Sequence, residues 1–208
     1  MFGLEPSEAA IQARKTFQEQ KASDFFSRKK IEILELGAGL GRDTTYLVDS
    51  KLINVTALDY SHEAIKIINK KKEDFKISDR ITTKVWDVRD KLPFKDNSFD
   101  GCFSHMLYCM ALSTSDLINL NKEVCRILKP GGINIYTARH TGDGDYKNGT
   151  HIGEDLYEND GFIVHFLSRD KINQLSKGFE ILDIGEFEEG KFPRKLFLVT
   201  LKKKSFTR

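Results

Sequence analysis

The sequence predicts an α/β protein with a doubly wound, mostly parallel β-sheet, helices on both faces and one antiparallel strand near the C-terminus. Three observations support this fold class. Short apolar runs alternate with capped helical patterns, as expected of βαβ units. A glycine-rich turn follows the first apolar run. The last two apolar runs are too close together for a crossover helix to connect them.

The predicted parallel strands are short, nearly uniformly apolar runs. Strands that are buried on both faces of a parallel sheet have this composition, because helices cover both faces. The runs are Ile31–Leu36, Ile53–Leu58, Phe99–Phe103 and Ile133–Ala138, and a further strand ends just before Trp86.

Predicted helices begin at residues that can cap a helix N-terminus. Ser113 and Asp116 have the spacing of a capping box, and the helix that follows them is stopped by Lys129-Pro130-Gly131-Gly132. A serine's hydroxyl can accept a hydrogen bond from a free amide of the first turn. The other capping serines are Ser7, Ser61 and Ser168.

The C-terminal part departs from this alternation. Phe179–Phe187 and Lys195–Leu201 both read as strands, and only the seven residues Glu188–Arg194 lie between them. A connection between parallel strands needs a dozen or more residues. These two strands are therefore expected to be antiparallel neighbours.

Composition limits the class of protein. The chain has 208 residues, 33 basic and 31 acidic, for a net charge of +2, so nothing in its overall charge favours nucleic acid or a membrane surface. Its three cysteines form no Cys-x-x-Cys pair, and we expect neither a disulfide framework nor a metal site. The sequence predicts one domain over residues 1–208, with a helical cap over 1–29, in a cytoplasmic protein.

The strongest motif is the turn Glu35-Leu36-Gly37-Ala38-Gly39-Leu40-Gly41-Arg42-Asp43. Its glycines are spaced GxGxG, whereas a dinucleotide-binding turn has GxGxxG. Counted from Gly37, Arg42 occupies the position of the third glycine. The spacing therefore disfavours an NAD-dependent oxidoreductase.

The segment ELGAGLGR resembles motif I of class I S-adenosylmethionine-dependent methyltransferases. Four further segments agree in order: ALDYS, Trp86-Asp87-Val88, LPFKDNSFD and EVCRILKPGG. The resemblance covers about Pro6 to Leu201 and implies a seven-stranded Rossmann-like sheet, S-adenosylmethionine as cofactor and an enzyme of the type 11-like group. A weaker similarity points to small-molecule methyltransferases of the tellurite-resistance and thiopurine type.

The resemblance also implies which residues hold the cofactor. Glu35 is expected near the ammonium of the methionine moiety, Asp59 at the ribose hydroxyls, and Asp87 with Val88 at the adenine, which Tyr60 or Val88 would cover. The full expected set is Glu35, Gly37, Ala38, Gly39, Asp59, Tyr60, Asp87, Val88 and Ser104.

Residues for the methyl acceptor are expected after the fourth and fifth parallel strands, because ligands bind at the carboxyl ends of such sheets. His105 and His140 are candidate general bases, needed if the acceptor is a hydroxyl. For each histidine, a purely structural role is the alternative. Tyr108 and Tyr146 are candidate substrate contacts.

The segment Thr141–Gly161 carries five glycines, six acids and one lysine. It shows no clear periodicity, and we expect a lid loop over the acceptor. His140 and Tyr146 are expected to point inward, and the acids to lie mainly on the solvated side.

The main functional prediction is methyl transfer to a sulfur, selenium, tellurium, nitrogen or oxygen atom of a small molecule. One alternative is a nucleic-acid methyltransferase, although the acidic segment and the balanced charge speak against it. Another is a non-catalytic subunit that binds S-adenosylmethionine. The cofactor motifs alone do not distinguish these two from the main prediction.

Overall fold

The computed structural model describes residues 5–22, 30–190 and 194–205, so the predicted 1–29 cap lies partly outside the described residues. Chain order alternates helix and strand up to β5, as the sequence predicted, except that no helix lies between β3 and β4. The helices are α1 (Glu8–Ala22), α2 (Arg42–Asp49), α3 (His62–Asp74), α4 (Thr114–Ile127) and α5 (Arg169–Leu175). The strands are β1 (Ile31–Leu36), β2 (Ile53–Asp59), β3 (Ile81–Val85), β4 (Phe99–Ser104), β5 (Leu128–Arg139), β6 (Thr150–Gly153), β7 (Leu156–Asn159), β8 (Phe162–His165), β9 (Phe179–Glu189) and β10 (Arg194–Lys203).

Seven of these strands form one sheet in the order β3-β2-β1-β4-β5-β10-β9. Strands β1 to β5 pair in parallel, and β10 is antiparallel to both β5 and β9. The predicted fold class and the antiparallel strand are confirmed. Because β10 reverses direction between them, β9 runs parallel to β5, and its end at Glu189 lies at the same carboxyl edge as the glycine turn.

Helix starts follow the predicted capping chemistry. Ser61 accepts from the amide of Ala64 at 3.2 Å, and Ser113 with Asp116 forms a complete capping box. Ser7 accepts from the Ala10 amide at 3.0 Å, and its own hydroxyl donates to Asp43 at 2.8 Å. That second bond fixes the start of α1 to the first turn of α2.

The helices cover the sheet in two layers, each with its own apolar core. α1 packs closely on the first core: a Cβ added at Gly101 of β4 would lie 2.4 Å from the Phe17 ring. The second core lies between the sheet and α4 with α5, and includes Leu117, Val124 and Ile172. No helix in the described part of the chain is long and apolar enough to span a bilayer.

The segment 141–161 is not the irregular loop that the sequence predicted. After a turn region, β6, β7 and β8 form a separate three-stranded antiparallel sheet, here called the meander. β8 is fixed to the body where the His165 amide donates to the Cys109 carbonyl at 3.1 Å. Each strand of the meander has four residues, so the alternation of apolar and polar side chains is too short to be recognised in the sequence.

Candidate active site

The glycine turn connects β1 to α2 with three residues in the left-handed region. Gly37, Gly39 and Gly41 have φ of 69°, 53° and 73°, which glycine adopts without strain. A Cβ built at Gly39 meets nothing within 4 Å, whereas one at Gly41 lies 2.7 Å from Ile68 Cγ1. Gly39 therefore faces open space, and Gly41 closes the turn against α3.

Asp59, at the end of β2, lies directly beside this turn. One carboxylate oxygen accepts from the Gly39 amide at 2.8 Å, and the other accepts from the Ser61 amide at 2.9 Å. A carboxylate oxygen can accept more than one hydrogen bond, so each retains acceptor capacity. Asp59 is thus fixed in position and can still receive two donors from a ligand.

Glu35, at the carboxyl end of β1, is buried on the α2 side of the turn. Its carboxyl accepts from the Thr44 hydroxyl at 2.5 Å. Burial, opposed in part by that bond and reinforced by nearby Asp43 and Asp59, raises the pKa of Glu35 to about 8. Such a desolvated acid is stabilised as a carboxylate when a cation comes next to it.

A second group of polar side chains lies at the ends of β4, β5 and β9. The His105 ring has Nδ1 3.1 Å from Thr137 Oγ1 and Nε2 3.0 Å from Glu189 Oε2. Thr137 Oγ1 also accepts from the Met106 amide at 2.8 Å, and its own proton is available for Nδ1. In the tautomer in which Thr137 donates to Nδ1, the His105 proton is on Nε2, which faces Glu189. The imidazole in turn lowers the pKa of Glu189, whose side chain is 25% exposed.

The meander and the end of β5 enclose a cavity of about 240 Å³. Aromatic and acidic side chains line it together with Arg139. The larger cavity of about 400 Å³ lies along α2, and its lining (Pro6, Tyr46, Phe75 and Arg80 among others) includes none of the predicted site residues. The lining of the smaller cavity includes none of them either, but it contains Arg139, at the carboxyl end of β5.

Comparison with known proteins points to methyltransferases. A family model described as "Methyltransferase domain" matches residues 33–132. The match covers 100 of the chain's 208 residues, and the chain is similar there to methyltransferase domains. The sequence motifs imply S-adenosylmethionine as its cofactor.

Individual relatives are distant. Methyltransferase phqN of Penicillium fellutanum is 24% identical over 187 residues, 88% of this chain and 56% of that protein. Sterol 4-C-methyltransferase strm-1 of Caenorhabditis elegans is 32% identical over 126 residues, 59% of this chain and 36% of that protein. The chain thus spans about half or less of the length of these two relatives. A S-adenosylmethionine-dependent methyltransferase structure from Methanosarcina mazei shares the fold with a TM-score of 0.72, at 22% identity, over 88% of this chain and 97% of that one.

The turn residues fit this cofactor. Open space at Gly39 leaves room for a ligand against the backbone, Asp59 retains acceptors for a diol, and the buried Glu35 carboxyl suits an ammonium. The buried Ser104 Oγ has no hydrogen-bond partner among the described residues, which leaves a polar atom for a ligand to satisfy. Ala38 donates its amide to the Leu58 carbonyl and supports the turn.

The residues expected at the adenine are more open. Tyr60 is 77% exposed, and Val88 is partly buried against the second core. The Asp87 carboxylate is bonded to Arg89 on its own turn, which lowers the pKa of Asp87. An adenine contact by Asp87 stays a prediction.

Two predicted acceptor residues lie elsewhere. His140 directly follows Arg139, the last residue of β5. Thr137 and Arg139 lie on the face of His105, so the His140 ring is on the opposite face. There it stacks on Phe197 at 4.5 Å, accepts from the Gly142 amide at Nδ1, and has its pKa lowered by burial. This environment gives His140 a structural role, not that of a base at the cofactor.

Tyr108 is a core residue, not a substrate contact. Its ring is completely buried and stacks on Tyr136 at 3.9 Å, and its hydroxyl donates to Asn121 at 2.7 Å. The chain turns inward after Ser104 because this aromatic pair belongs to the second core.

One acid of 141–161, Asp143, is not on the solvated side where the acids were mainly expected. Asp143 is buried, forms an ion pair with Arg139 and accepts from the Lys195 amide at 2.7 Å. Tyr146 donates its hydroxyl to Asp155 at 2.9 Å and packs edge-on against Tyr157. Tyr146 therefore stands behind the cavity wall.

Glu189 is the functional candidate that the sequence analysis did not name. The sequence did contain the information needed to find it. β9 and β10 were predicted to be antiparallel neighbours, and a strand that precedes an antiparallel partner of β5 must end at the carboxyl edge of the sheet. Within the described residues, no group of three His, Cys, Asp or Glu side chains is arranged as metal ligands would be.

Proposed function

We propose that this chain transfers a methyl group from S-adenosylmethionine to a nucleophilic atom of a small molecule. One observation carries the proposal: the cofactor cradle at Glu35, Gly39 and Asp59 and the His105–Glu189 pair share the carboxyl edge of one sheet. When bound, S-adenosylmethionine supplies an activated methyl carbon, which takes the acceptor's lone pair as its bond to sulfur breaks and that electron pair returns to sulfur.

The chain's own residues position and deprotonate the acceptor. In the tautomer with the proton on Nε2 and Nδ1 accepting from Thr137, His105 has no free lone pair. The Glu189 carboxylate is therefore the proton acceptor that we propose, and His105 is its positioning residue. Such a base is needed only for acceptors that lose a proton.

A small acceptor is favoured over a nucleic acid or a sterol. The net charge of +2 and the acidic meander offer no track for phosphates. A sterol, the substrate class in the name of the nematode relative, is a four-ring molecule, while the cavity at this edge is about 240 Å³, below the roughly 300–1,000 Å³ of sites for drug-sized ligands.

The test combines cofactor binding with an acceptor screen. Calorimetry is expected to detect S-adenosylhomocysteine and no NAD, and Asp59→Ala should weaken cofactor binding by about 1–3 kcal/mol, the usual cost of losing a charged hydrogen-bond partner. The exposed Asp79→Ala serves as the matched control. Mass spectrometry should then find an acceptor that gains one CH2 unit while S-adenosylhomocysteine is released.

The alternatives predict different results. Tight NAD binding would overturn the cofactor assignment. Cofactor binding without turnover on any acceptor class would support a non-catalytic subunit. A salt-sensitive shift of RNA or DNA that depends on lysines would support a nucleic-acid substrate.

A further inference from the structure

The cavity at the meander has an aromatic wall made by one face of a β-sheet. Tyr157 is paired with Val164 and Asn159 with Phe162, so these four side chains lie on the same face. Phe166, two residues beyond Val164, continues this wall. Phe162 is 75% exposed at the cavity, so its ring face is accessible to a ligand there.

The charge around the cavity is negative. The Arg139 guanidinium is bound by Asp143 and Asp145 and lies 5.1 Å from the Phe166 ring. Asp160 is a further acid in the lining. One arginine thus faces three aspartates. An anionic ligand would have to displace Asp145 from Arg139, and a cationic ligand would reduce the excess negative charge.

Aromatic faces and carboxylates together recognise organic cations. A ring face attracts an ammonium within about 6 Å of its centre, and carboxylates accept its N–H groups. A neutral ligand of the same shape gains only the apolar contact. The lining therefore distinguishes an amine from an alcohol and from a carboxylic acid.

We propose that this cavity is the acceptor subsite and that its substrate class is a small organic amine, recognised as its ammonium. The proposal rests on the proposed function. It is supported by placement: Arg139 is two residues beyond Thr137 on β5, so both side chains lie on the same face as His105 and Glu189. The volume of about 240 Å³ suits an amine with one ring.

The methyl transfer to an amine proceeds in two parts. The bound ammonium first loses one proton to solvent. The nitrogen lone pair then forms the bond to the methyl carbon, and the electron pair of the carbon–sulfur bond remains on sulfur. The products are a methylated ammonium, S-adenosylhomocysteine and one proton.

Three probes with the same phenethyl skeleton test the recognition: phenethylamine, phenethyl alcohol and phenylacetate. Binding is measured by NMR titration of the full chain with S-adenosylhomocysteine present. We expect phenethylamine to bind at least about tenfold more tightly than the alcohol, with phenylacetate weakest. Equal affinities, or tighter binding of the alcohol or acid, would overturn the proposal.

Two variants test the lining residues. Phe162→Leu keeps an apolar side chain but removes the ring, and Asp160→Asn removes a charge; both residues are exposed and neither substitution opens the core. Each is expected to weaken phenethylamine binding about three- to tenfold, while alcohol binding and S-adenosylhomocysteine affinity change by less than about twofold. The control is Asp79→Asn, on the far side of the sheet. Unchanged amine binding in both variants would refute the assigned lining.

Turnover separates this proposal from the proposed function. Amines should show methyl transfer that rises with pH, and both variants should raise KM for amines more than they lower kcat. Transfer only to alcohols, acids or thiols would refute the amine class while the methyltransferase function stands. Failure to bind S-adenosylhomocysteine would refute the proposed function, and the three-probe comparison would still decide what the cavity recognises.

Discussion

Cofactor binding should release a proton, and the source is Glu35. Burial raises the pKa of Glu35 to about 8, so at pH 7 about 90% of the side chain is protonated. If the cofactor's ammonium lies next to Glu35, binding converts it to the carboxylate. Glu35 should therefore release about 0.9 proton per molecule bound at pH 7 and progressively less as pH rises through about 8, while each cofactor molecule whose amine is neutral in solution takes up one proton on binding as the ammonium.

Calorimetry in buffers of different ionisation enthalpy measures this release directly. The slope of the observed binding enthalpy against the buffer's ionisation enthalpy equals the number of protons released. Glu35→Gln should abolish the slope, whereas the exposed Glu63→Gln should preserve it. A zero slope at pH 7 for the unsubstituted chain would refute both the raised pKa and the place of Glu35 beside the ammonium.

The same shift makes the cofactor-free fold sensitive to alkali. A carboxyl whose pKa is raised in the folded state contributes stability that is fully present below its ordinary pKa of 4.5 and is lost as pH rises through about 8. At about 1.4 kcal/mol per pKa unit the upper limit of this loss is about 5 kcal/mol. The unfolding temperature Tm should thus fall more steeply between pH 6 and pH 9 for the unsubstituted chain than for Glu35→Gln.

Three further predictions separate binding, stability and chemistry. Gly39→Val should abolish S-adenosylhomocysteine binding and lower Tm moderately, because valine is strained at a φ of 53°. Gly41→Val should lower Tm more, because its Cβ would also meet α3. Calorimetry and thermal unfolding check both, and normal binding by Gly39→Val would contradict the open turn. Tyr108→Phe should lower the free energy of unfolding in urea by about 1–3 kcal/mol, because the buried Asn121 oxygen loses the Tyr108 donor. Turnover should stay within about twofold. A specific loss of turnover would instead support a substrate contact by Tyr108. Glu189→Gln should lower kcat about tenfold or more for acceptors that lose a proton, while cofactor affinity stays within about twofold. A kcat equal to that of the unsubstituted chain would show that Glu189 is not the base.

Local signals in the sequence were sufficient for the sheet and the cofactor turn. Apolar runs, capping serines and the short gap before Lys195 each act within a few residues, and the parallel order follows from them. Glu35, Gly39 and Asp59 were predictable for the same reason, since each stands at the end of a strand or in the turn that follows it.

The acceptor side depends on contacts between distant segments. Strand alternation decides whether a residue at the end of β5 faces the cofactor or the second core. It places Arg139 on one face and His140 on the other. Tyr108 was drawn into the core by its partner Tyr136, 28 residues away in sequence. Asp143 is buried although the acids of its segment were expected mainly in solvent, because it is paired with Arg139.

The position of β9 at the end of the seven-stranded sheet has a consequence for solubility. An edge strand exposes unpaired amides and carbonyls that can template pairing with another molecule. Along β9 the exposed side chains include Glu180, Asp183, Glu186 and Glu188. Two copies that met through this edge would bring their rows of carboxylates together, so like-charge repulsion keeps the strand from adding a neighbour. The strand that carries Glu189 into the site is thus also the one that protects the sheet from growing into an aggregate.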